Sequence, residues 1–195
     1  MSGNTNAGFG LKPIRHMTGG EIRSNGYPIK TGYPTAIYTG DPVIMDTDGT
    51  LLIGVGTAGS PSAAPLGVFQ GVSYTDASGA KVYKAYWPAS TTATNIEALV
   101  IDDPDVLFAI QSDATGVAAA DIGQLYDFTI AAGSTATGRS ATVLGSASTH
   151  ASTAHQLRAM RIVDDGVNVA GAYAVVEVSW AQHALKGVVS GVGGI

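Results

Sequence analysis

Short apolar runs, broken at close intervals by turn-forming residues, are the feature that most restricts how this chain folds. From Tyr33 onward, runs such as Val43–Met45, Leu51–Ile53 and Leu66–Tyr74 are separated by glycine, proline and aspartate. No long stretch places apolar residues at the 3.6-residue spacing of an amphipathic helix. Short strands with turn signals between them are typical of antiparallel barrels and sandwiches. The sequence therefore predicts a mainly β fold, a compact β-barrel or β-sandwich.

Several of the turns and strands are predicted individually. Asp48–Gly49 predicts a β-hairpin, because a type I′ turn needs positive φ at both central positions. Ile96–Ile101 and Val106–Gln111 are expected to pair with each other through the acidic turn Asp102–Asp105. One helical turn is expected within Val117–Asp121. Further strands are expected at Lys81–Trp87, Leu125–Ile130, Leu157–Val163 and Tyr173–Trp180.

The first 32 residues differ in pattern from the rest of the chain. Seven glycines and two prolines interrupt any helix or long strand there, so residues 1–32 are predicted to form an extended N-terminal arm. Residues 33–195 are predicted to form a single β domain. Within that domain, residues from about 131 to 155 are mostly Ser, Thr, Ala and Gly and predict a long loop or an edge hairpin.

Composition excludes several classes of protein. The 195 residues include no cysteine, so disulfide frameworks, thiolate metal sites and cysteine nucleophiles are ruled out. The N-terminal residues lack the pattern of a secretory signal, and no apolar run reaches the roughly 18 residues of a membrane span. With a net charge of −5 and few basic residues, the chain is not expected to bind nucleic acid or a membrane.

The charges are segregated along the chain. Residues 12–30 carry Lys12, Arg15, Arg23 and Lys30 against one glutamate, whereas residues 41–127 carry eleven acids against two lysines. Such asymmetry favours contact between the arm and an acidic partner, for example another copy of the same protein. Scattered solvated charges are the alternative interpretation.

Two acidic motifs invite a calcium interpretation. An EF-hand loop around Asp46–Thr50 would need an acid at position 55, where the chain has Val55, so a hairpin turn is favoured. The carboxylates of Asp102, Asp103 and Asp105 offer oxygen ligands to a hard cation, but Pro104 holds the preceding residue extended. A solvated turn is therefore favoured over a metal site.

Histidines and hydroxyl residues give no specific catalytic signal. The pairs His150 with His155 and His16 with His183 lack a carboxylate or cysteine at ligand spacing. The Gly-x-Ser-x-Gly motif of serine hydrolases is absent from the sequence. We therefore expect no metal, no cofactor and no enzymatic activity, with a hydrolase of unrecognised site as an open alternative.

An aromatic and basic cluster offers a binding alternative. Tyr83, Tyr86 and Trp87 lie beside Lys81 and Lys84. Exposed aromatic rings with nearby cations stack on bases and sugars. Alternation along a half-buried strand explains the same pattern, so a glycan-binding component of a tail or fibre stands as the second functional hypothesis.

Four motifs carry a resemblance to a known family: Gly8–Pro13, Gly40–Val43, Pro65–Phe69 and Asp102–Gln111. With these, the chain resembles the head decoration or cement-type structural proteins of tailed bacteriophages. The resemblance implies a virion protein that binds the outer face of the capsid and stabilises contacts between major capsid subunits. It implies the major capsid protein and further copies of itself as partners, with a homotrimer favoured and a dimer possible, and the host cytoplasm as its location during assembly.

Under this hypothesis, two sets of residues are expected to make contacts. The arm is expected to contact the capsid through Phe9, Leu11, Lys12, Ile14, Arg15 and Arg23. Contacts to another copy or to a partner are expected from Asp102, Asp103, Asp105, Tyr86 and Trp87.

Overall fold

The computed structural model describes residues 4–54, 64–145 and 155–186, which form short strands paired in antiparallel fashion. The first seven strands are β1 (Lys12–His16), β2 (Asn25–Tyr27), β3 (Ile37–Tyr38), β4 (Pro42–Met45), β5 (Leu51–Ile53), β6 (Gly67–Thr75) and β7 (Lys81–Lys84). The others are β8 (Tyr86–Trp87), β9 (Thr94–Ile101), β10 (Val106–Gln111), β11 (Leu125–Thr129), β12 (Val143–Gly145), β13 (Leu157–Ile162) and β14 (Val175–Trp180).

The strands form two large sheets and one small one. The first sheet is six-stranded, with the order β1-β10-β14-β13-β11-β12. The second sheet has the order β2-β9-β6-β4-β5, and β7 also pairs with β6. The small third sheet consists of β3 and β8. The predicted mainly β fold is confirmed, and the open sheet edges of the described residues fit a sandwich-like arrangement rather than a closed barrel.

Two apolar cores hold these layers together. In the first core, Phe108, Val176 and Trp180 of the first sheet pack with Val68 and Ile101 of the second sheet. In the second core, the opposite face of the second sheet packs on the third sheet, in a cluster that includes Phe69, Val100, Ile37 and Trp87. Neighbouring residues along β6 and β9 therefore face different cores, as the period of two in a strand requires.

The acidic turn is a crossover between the two large sheets and not a hairpin. β9 pairs with β2 and β6 in the second sheet, whereas β10 pairs with β1 and β14 in the first. The predicted pairing of Ile96–Ile101 with Val106–Gln111 is therefore wrong. All six residues of β10 are buried, which is typical of a strand with neighbours on both sides and a covered sheet face.

Two other predictions need correction or refinement. The expected single strand Lys81–Trp87 is interrupted at Ala85, so that β7 and β8 belong to different sheets. The expected helical turn is present as a 3-10 turn at Ala119–Asp121. Among the described residues, no helix has the length and hydropathy needed to cross a bilayer.

The N-terminal segment is built into both sheets. Its strand β1 forms one edge of the first sheet by pairing with β10, and its strand β2 forms one edge of the second sheet by pairing with β9. Of the loop predicted at about 131–155, residues 143–145 form β12. Residues 146–154, with His150, and the glycine-rich stretch 187–195 lie outside the described residues.

Candidate functional site

The crossover between β9 and β10 gathers polar side chains from distant parts of the chain. Asp102, the first residue of the turn, is buried and accepts hydrogen bonds from the Asn25 amide at 2.9 Å on both carboxylate oxygens. The Tyr27 hydroxyl donates to the same carboxylate. Burial, together with the hydrogen bond to Asp102 and its charge, raises the pKa of Tyr27 to about 12. Asp102 therefore fixes strand β2 to the crossover.

Asp103 links the end of β1 to the same turn. Its Oδ2 lies 3.0 Å from Nε2 of His16, while its Oδ1 accepts the backbone N–H of Asp105 at 2.9 Å. The other ring nitrogen, Nδ1 of His16, accepts backbone N–H bonds from Thr18 and Gly20, each at 3.2 Å. Because Nδ1 is an acceptor, a neutral His16 carries its proton on Nε2 and donates it to Asp103.

Asp105 links the turn to the C-terminal end of the described chain. The Lys186 ammonium lies 2.9 Å from its Oδ1 and donates to the carbonyl of Pro104 at 3.2 Å. The hydrogen bond from Lys186 holds the pKa of Asp105 below its ordinary value. We call the four side chains of His16, Asp103, Asp105 and Lys186 the junction latch.

The junction latch has the composition of a metal site but the wrong hydrogen-bond pattern. One ligand atom each of His16, Asp103 and Asp105 lies within 4.8 Å of the others. A metal-bound histidine usually donates its second ring N–H to a carboxylate or carbonyl. Here the second nitrogen accepts two N–H groups instead, and Lys186 already supplies a cation to Asp105. This pattern fits a structural latch better than a metal centre.

The expected contacts of the turn and of the aromatic cluster are largely made inside the chain. Asp102 is only 7% exposed and Trp87 is fully buried within the chain, so in this conformation neither offers side-chain surface to a partner. Tyr86 is half-buried and stacks on Tyr38 with ring centroids 5.5 Å apart. Asp103 and Asp105 are partly exposed, but within the latch Asp103 is hydrogen-bonded to His16 and Asp105 is paired with the Lys186 ammonium.

The arm residues expected to contact a capsid include some that are buried or engaged within the chain and some that are exposed. Leu11 is 1% exposed and packs in the first core, so in this conformation it offers no surface to a capsid. Arg15 is engaged by Glu177, and Phe9 is half-buried. Lys12, Ile14 and Arg23 are exposed and remain accessible to a partner.

A buried carboxylate between two arginines is a feature that the sequence did not distinguish. Glu177 lies on β14 and is fully buried; its Oε1 accepts from Arg15 at 2.6 Å and its Oε2 from Arg161 at 2.8 and 2.9 Å. Burial alone would raise the pKa of Glu177, but the two guanidinium groups outweigh it and hold the pKa below its ordinary value. The detectable signal was that Glu177 is the one charged residue of a mostly apolar strand.

A second buried carboxylate, Asp41, has no cation near it among its hydrogen-bond partners. It is fully buried and accepts hydrogen bonds from the hydroxyls of Ser140 and Thr142 and from the backbone N–H of Tyr38. Burial raises the pKa of Asp41 above its ordinary value even though these bonds oppose the rise. The residue fixes the start of β4 to the segment that leads into β12.

One histidine–aspartate pair bears on the hydrolase alternative. Nδ1 of His155 lies 3.0 Å from Oδ2 of Asp127, and their side chains are 6% and 5% exposed. A hydrolase needs such a pair next to a nucleophile and within reach of a substrate. Burial of both side chains gives a substrate little access to the pair, so this geometry favours a structural role.

Exposed apolar side chains occur beside the junction latch. The backbone N–H of Met17 donates to the carbonyl of Asp105, and Leu185 directly precedes Lys186, whose ammonium binds the same turn. Their side chains are 45% and 59% exposed. The chain positions of these two exposed apolar residues, which come from opposite ends of the described chain, are thus tied to one turn, and we call Met17 and Leu185 the latch rim.

A second exposed surface lies on the face of the second sheet. Tyr83, Ser73 and Glu97 occupy facing positions on β7, β6 and β9, and Leu99 follows on the same face. Tyr83 is 71% exposed and Leu99 43% exposed. The Lys81 ammonium lies 5.2 Å from the Tyr83 ring centroid. Together these residues border a shallow trough.

No protein-family model, no curated protein and no solved structure matches this chain.

Proposed function

We propose that this protein is a structural component that attaches to the outer face of a phage capsid and stabilises contacts between capsid subunits. The observation that supports this most is the latch rim: Met17 and Leu185 are exposed apolar side chains beside a turn whose carboxylates already have partners within the chain. Exposed apolar groups gain from being covered by another protein, and carboxylates that are already hydrogen-bonded or ion-paired lose less solvation than free ones.

Covering the latch rim contributes a small binding free energy per copy, which suits attachment of many copies better than tight binding of one. Complete burial of a Met or Leu side chain contributes roughly 1.5–3 kcal/mol. Because each rim side chain is already about half buried, covering it contributes about 1 kcal/mol. On a symmetric shell, many copies would each add such a modest contribution to the stability of the shell. A protein that binds the assembled shell and not its separate subunits stabilises the assembled state.

Co-sedimentation with purified phage heads that lack the protein tests the proposal. The variant with Met17→Ser and Leu185→Ser should bind at least tenfold more weakly, because about 2 kcal/mol of apolar burial is lost and 1.4 kcal/mol corresponds to tenfold. The matched control carries Val167→Ser and Val169→Ser, which remove apolar side chains that are 66% and 50% exposed on the β13–β14 connection. If the unmodified protein does not co-sediment with the heads, the proposal is refuted.

The trough on the second sheet supports a second candidate function, glycan binding. Tyr83 offers an accessible ring, and Ser73 and Glu97 offer polar groups in the same row of the sheet. Sugars pack on such rings while side chains beside them form hydrogen bonds. Trp87 and Tyr86 belong elsewhere, since the first is buried and the second stacks on Tyr38.

A glycan array distinguishes the two candidates. If the trough binds glycans, Tyr83→Ala should abolish the signal while the latch-rim variant leaves it unchanged. Tyr86→Phe serves as the matched control, because it alters an aromatic residue of the neighbouring strand outside the trough. An array without signal for the unmodified protein removes this candidate.

A further inference from the structure

The edge strand of the first sheet is attached in a way that permits exchange between copies. We propose that residues 4–16, which we call the exchange segment, can leave β10 of their own chain and pair with β10 of a second copy. The partner is therefore another molecule of the same protein, and the contacts used are those already present within one chain. This inference goes beyond the proposed attachment to a capsid and does not depend on it.

The exchange segment is held by pairing at one sheet edge and by polar bonds to other segments, since Asn4 binds the backbone of Val169 and Ala172, Gly10 donates to Thr142 and Leu11 donates to Gly40. Within it, β1 pairs with β10 alone. Ahead of β1, the backbone N–H of Ala7 donates to Oε1 of Gln111, whose Nε2 donates to the carbonyl of Thr5 at 2.9 Å. At the other end, Arg15 binds Glu177 of β14, and His16 binds Asp103 in the junction latch. Each of these partners is equally present on a second copy.

Few apolar side chains commit the exchange segment to its own chain. Leu11 is its one fully buried large side chain, while Phe9 and Pro13 are half-buried and Ile14 is exposed. Gly10 passes close to Gly40 with a φ of +74°, a conformation that favours glycine. Withdrawing the segment therefore vacates the buried position of Leu11, uncovers the half-buried Phe9 and Pro13, and breaks the backbone hydrogen bonds of Gly10 and Leu11.

The connection that follows can act as a hinge. Residues 17–24 are exposed apart from Ile22, and Gly19 has a φ of +80° with open space around it. Fully extended, these residues reach about 26–29 Å, enough to carry the segment to a neighbouring molecule. Beyond the hinge, Asn25 and Tyr27 hold β2 to Asp102, so the rest of the chain stays anchored.

The vacated edge needs a replacement strand with the same register. All residues of β10 are buried, and an uncovered edge of that kind is prone to pair with other chains. The exchange segment of a second copy restores every bond without new chemistry, which is why exchange of an identical element is a low-cost route to oligomers. Because a short connection gives the intramolecular strand an effective concentration in the millimolar range, exchange is expected when copies are comparably concentrated.

Engineered cysteines test the exchange directly, because the chain has none of its own. Lys12 and Ala109 face each other across β1 and β10. We would mix a Lys12→Cys variant with an Ala109→Cys variant and oxidise the mixture. The concentration is about 1 mM, comparable to the effective concentration of the intramolecular strand. Exchange predicts a disulfide-linked heterodimer that joins the two positions, identified by peptide mass.

Two controls make the outcome decisive. A single chain that carries both substitutions must form the intramolecular bridge, which shows that the two positions can be linked. The matched pair Arg158→Cys and Ser179→Cys lies on the directly connected strands β13 and β14 and should give no heterodimer above background. If the doubly substituted chain bridges internally while the mixed single variants give only that background, the exchange is refuted.

Discussion

Replacement of Glu177 by glutamine is the sharpest test of how the first sheet holds its edge. The Glu177 side chain is 1% exposed, and its two oxygens are shared between Arg15 of β1 and Arg161 of β13. The substitution Glu177→Gln keeps the size and shape of the side chain and removes its charge. One amide oxygen remains as an acceptor, whereas the amide nitrogen faces a guanidinium and becomes a donor opposite a donor.

The expected cost follows from these contacts. Charge-assisted hydrogen bonds contribute roughly 1.5–3 kcal/mol, and breaking a fully buried ion pair costs about 3–5 kcal/mol. The arginine side chains are 51% and 59% exposed, so water can solvate the guanidinium that loses its partner. We therefore expect Glu177→Gln to lower the free energy of unfolding by about 2 kcal/mol, below the range for fully buried pairs.

Urea unfolding at neutral pH measures this loss, and its pH dependence checks the cause. The pKa of Glu177 is lowered from its ordinary 4.5, so its stabilising contribution is present above that value and is lost as the pH falls through the lowered value. The difference between the two proteins should therefore shrink in acid. A double-mutant cycle with Arg15→Gln isolates the pair, and a coupling energy near zero would refute the clamp across β1, β10 and β14.

Four further outcomes follow from the buried and paired groups. Asp41→Asn should flatten the pH dependence of the unfolding midpoint, since the raised pKa of Asp41 makes stability fall as the pH rises from 3.8 through the raised value. Asp102→Asn should lower the pKa of Tyr27 from about 12, measured by ultraviolet titration of the phenol. Lys186→Ala should return the pKa of Asp105 toward its ordinary value in a carboxyl NMR titration, because the hydrogen bond that lowers it is removed. Trp87→Ala should lower the free energy of unfolding by about 3–5 kcal/mol in urea titrations, as expected for a fully buried aromatic residue.

The strands and tight turns were predictable because local residue types determine them. A hairpin at Asp48–Gly49 joins β4 to β5 as expected, but the predicted type I′ turn is wrong, because Gly49 has a positive φ and Asp48 does not. The strands predicted around residues 66–74, 157–163 and 173–180 are present as β6, β13 and β14. In each case an apolar run has a glycine or aspartate close to one of its ends, so both signals lie within a few residues of each other.

Sheet membership was not predictable, because it depends on contacts between distant segments. Nothing local to Asp102–Asp105 distinguishes a hairpin from a crossover, since both need a polar turn between two apolar strands. The distinction comes from Asn25 and Tyr27, which draw one side of the turn to β2. It also comes from β1 and β14, which occupy both edges of β10 and leave no room for β9.

The same partners change what the acidic turn can do. A solvated cluster of carboxylates would attract a cation or a basic arm from a neighbour, and binding would then weaken with salt. Here Asp102 is covered by β2, while Asp103 and Asp105 bind His16 and Lys186 of the same chain. Because these carboxylates already have partners within the chain, our proposal places attachment on the apolar side chains beside the turn. Attachment that depends on Met17 and Leu185 should therefore persist in high salt, whereas attachment through the carboxylates would not.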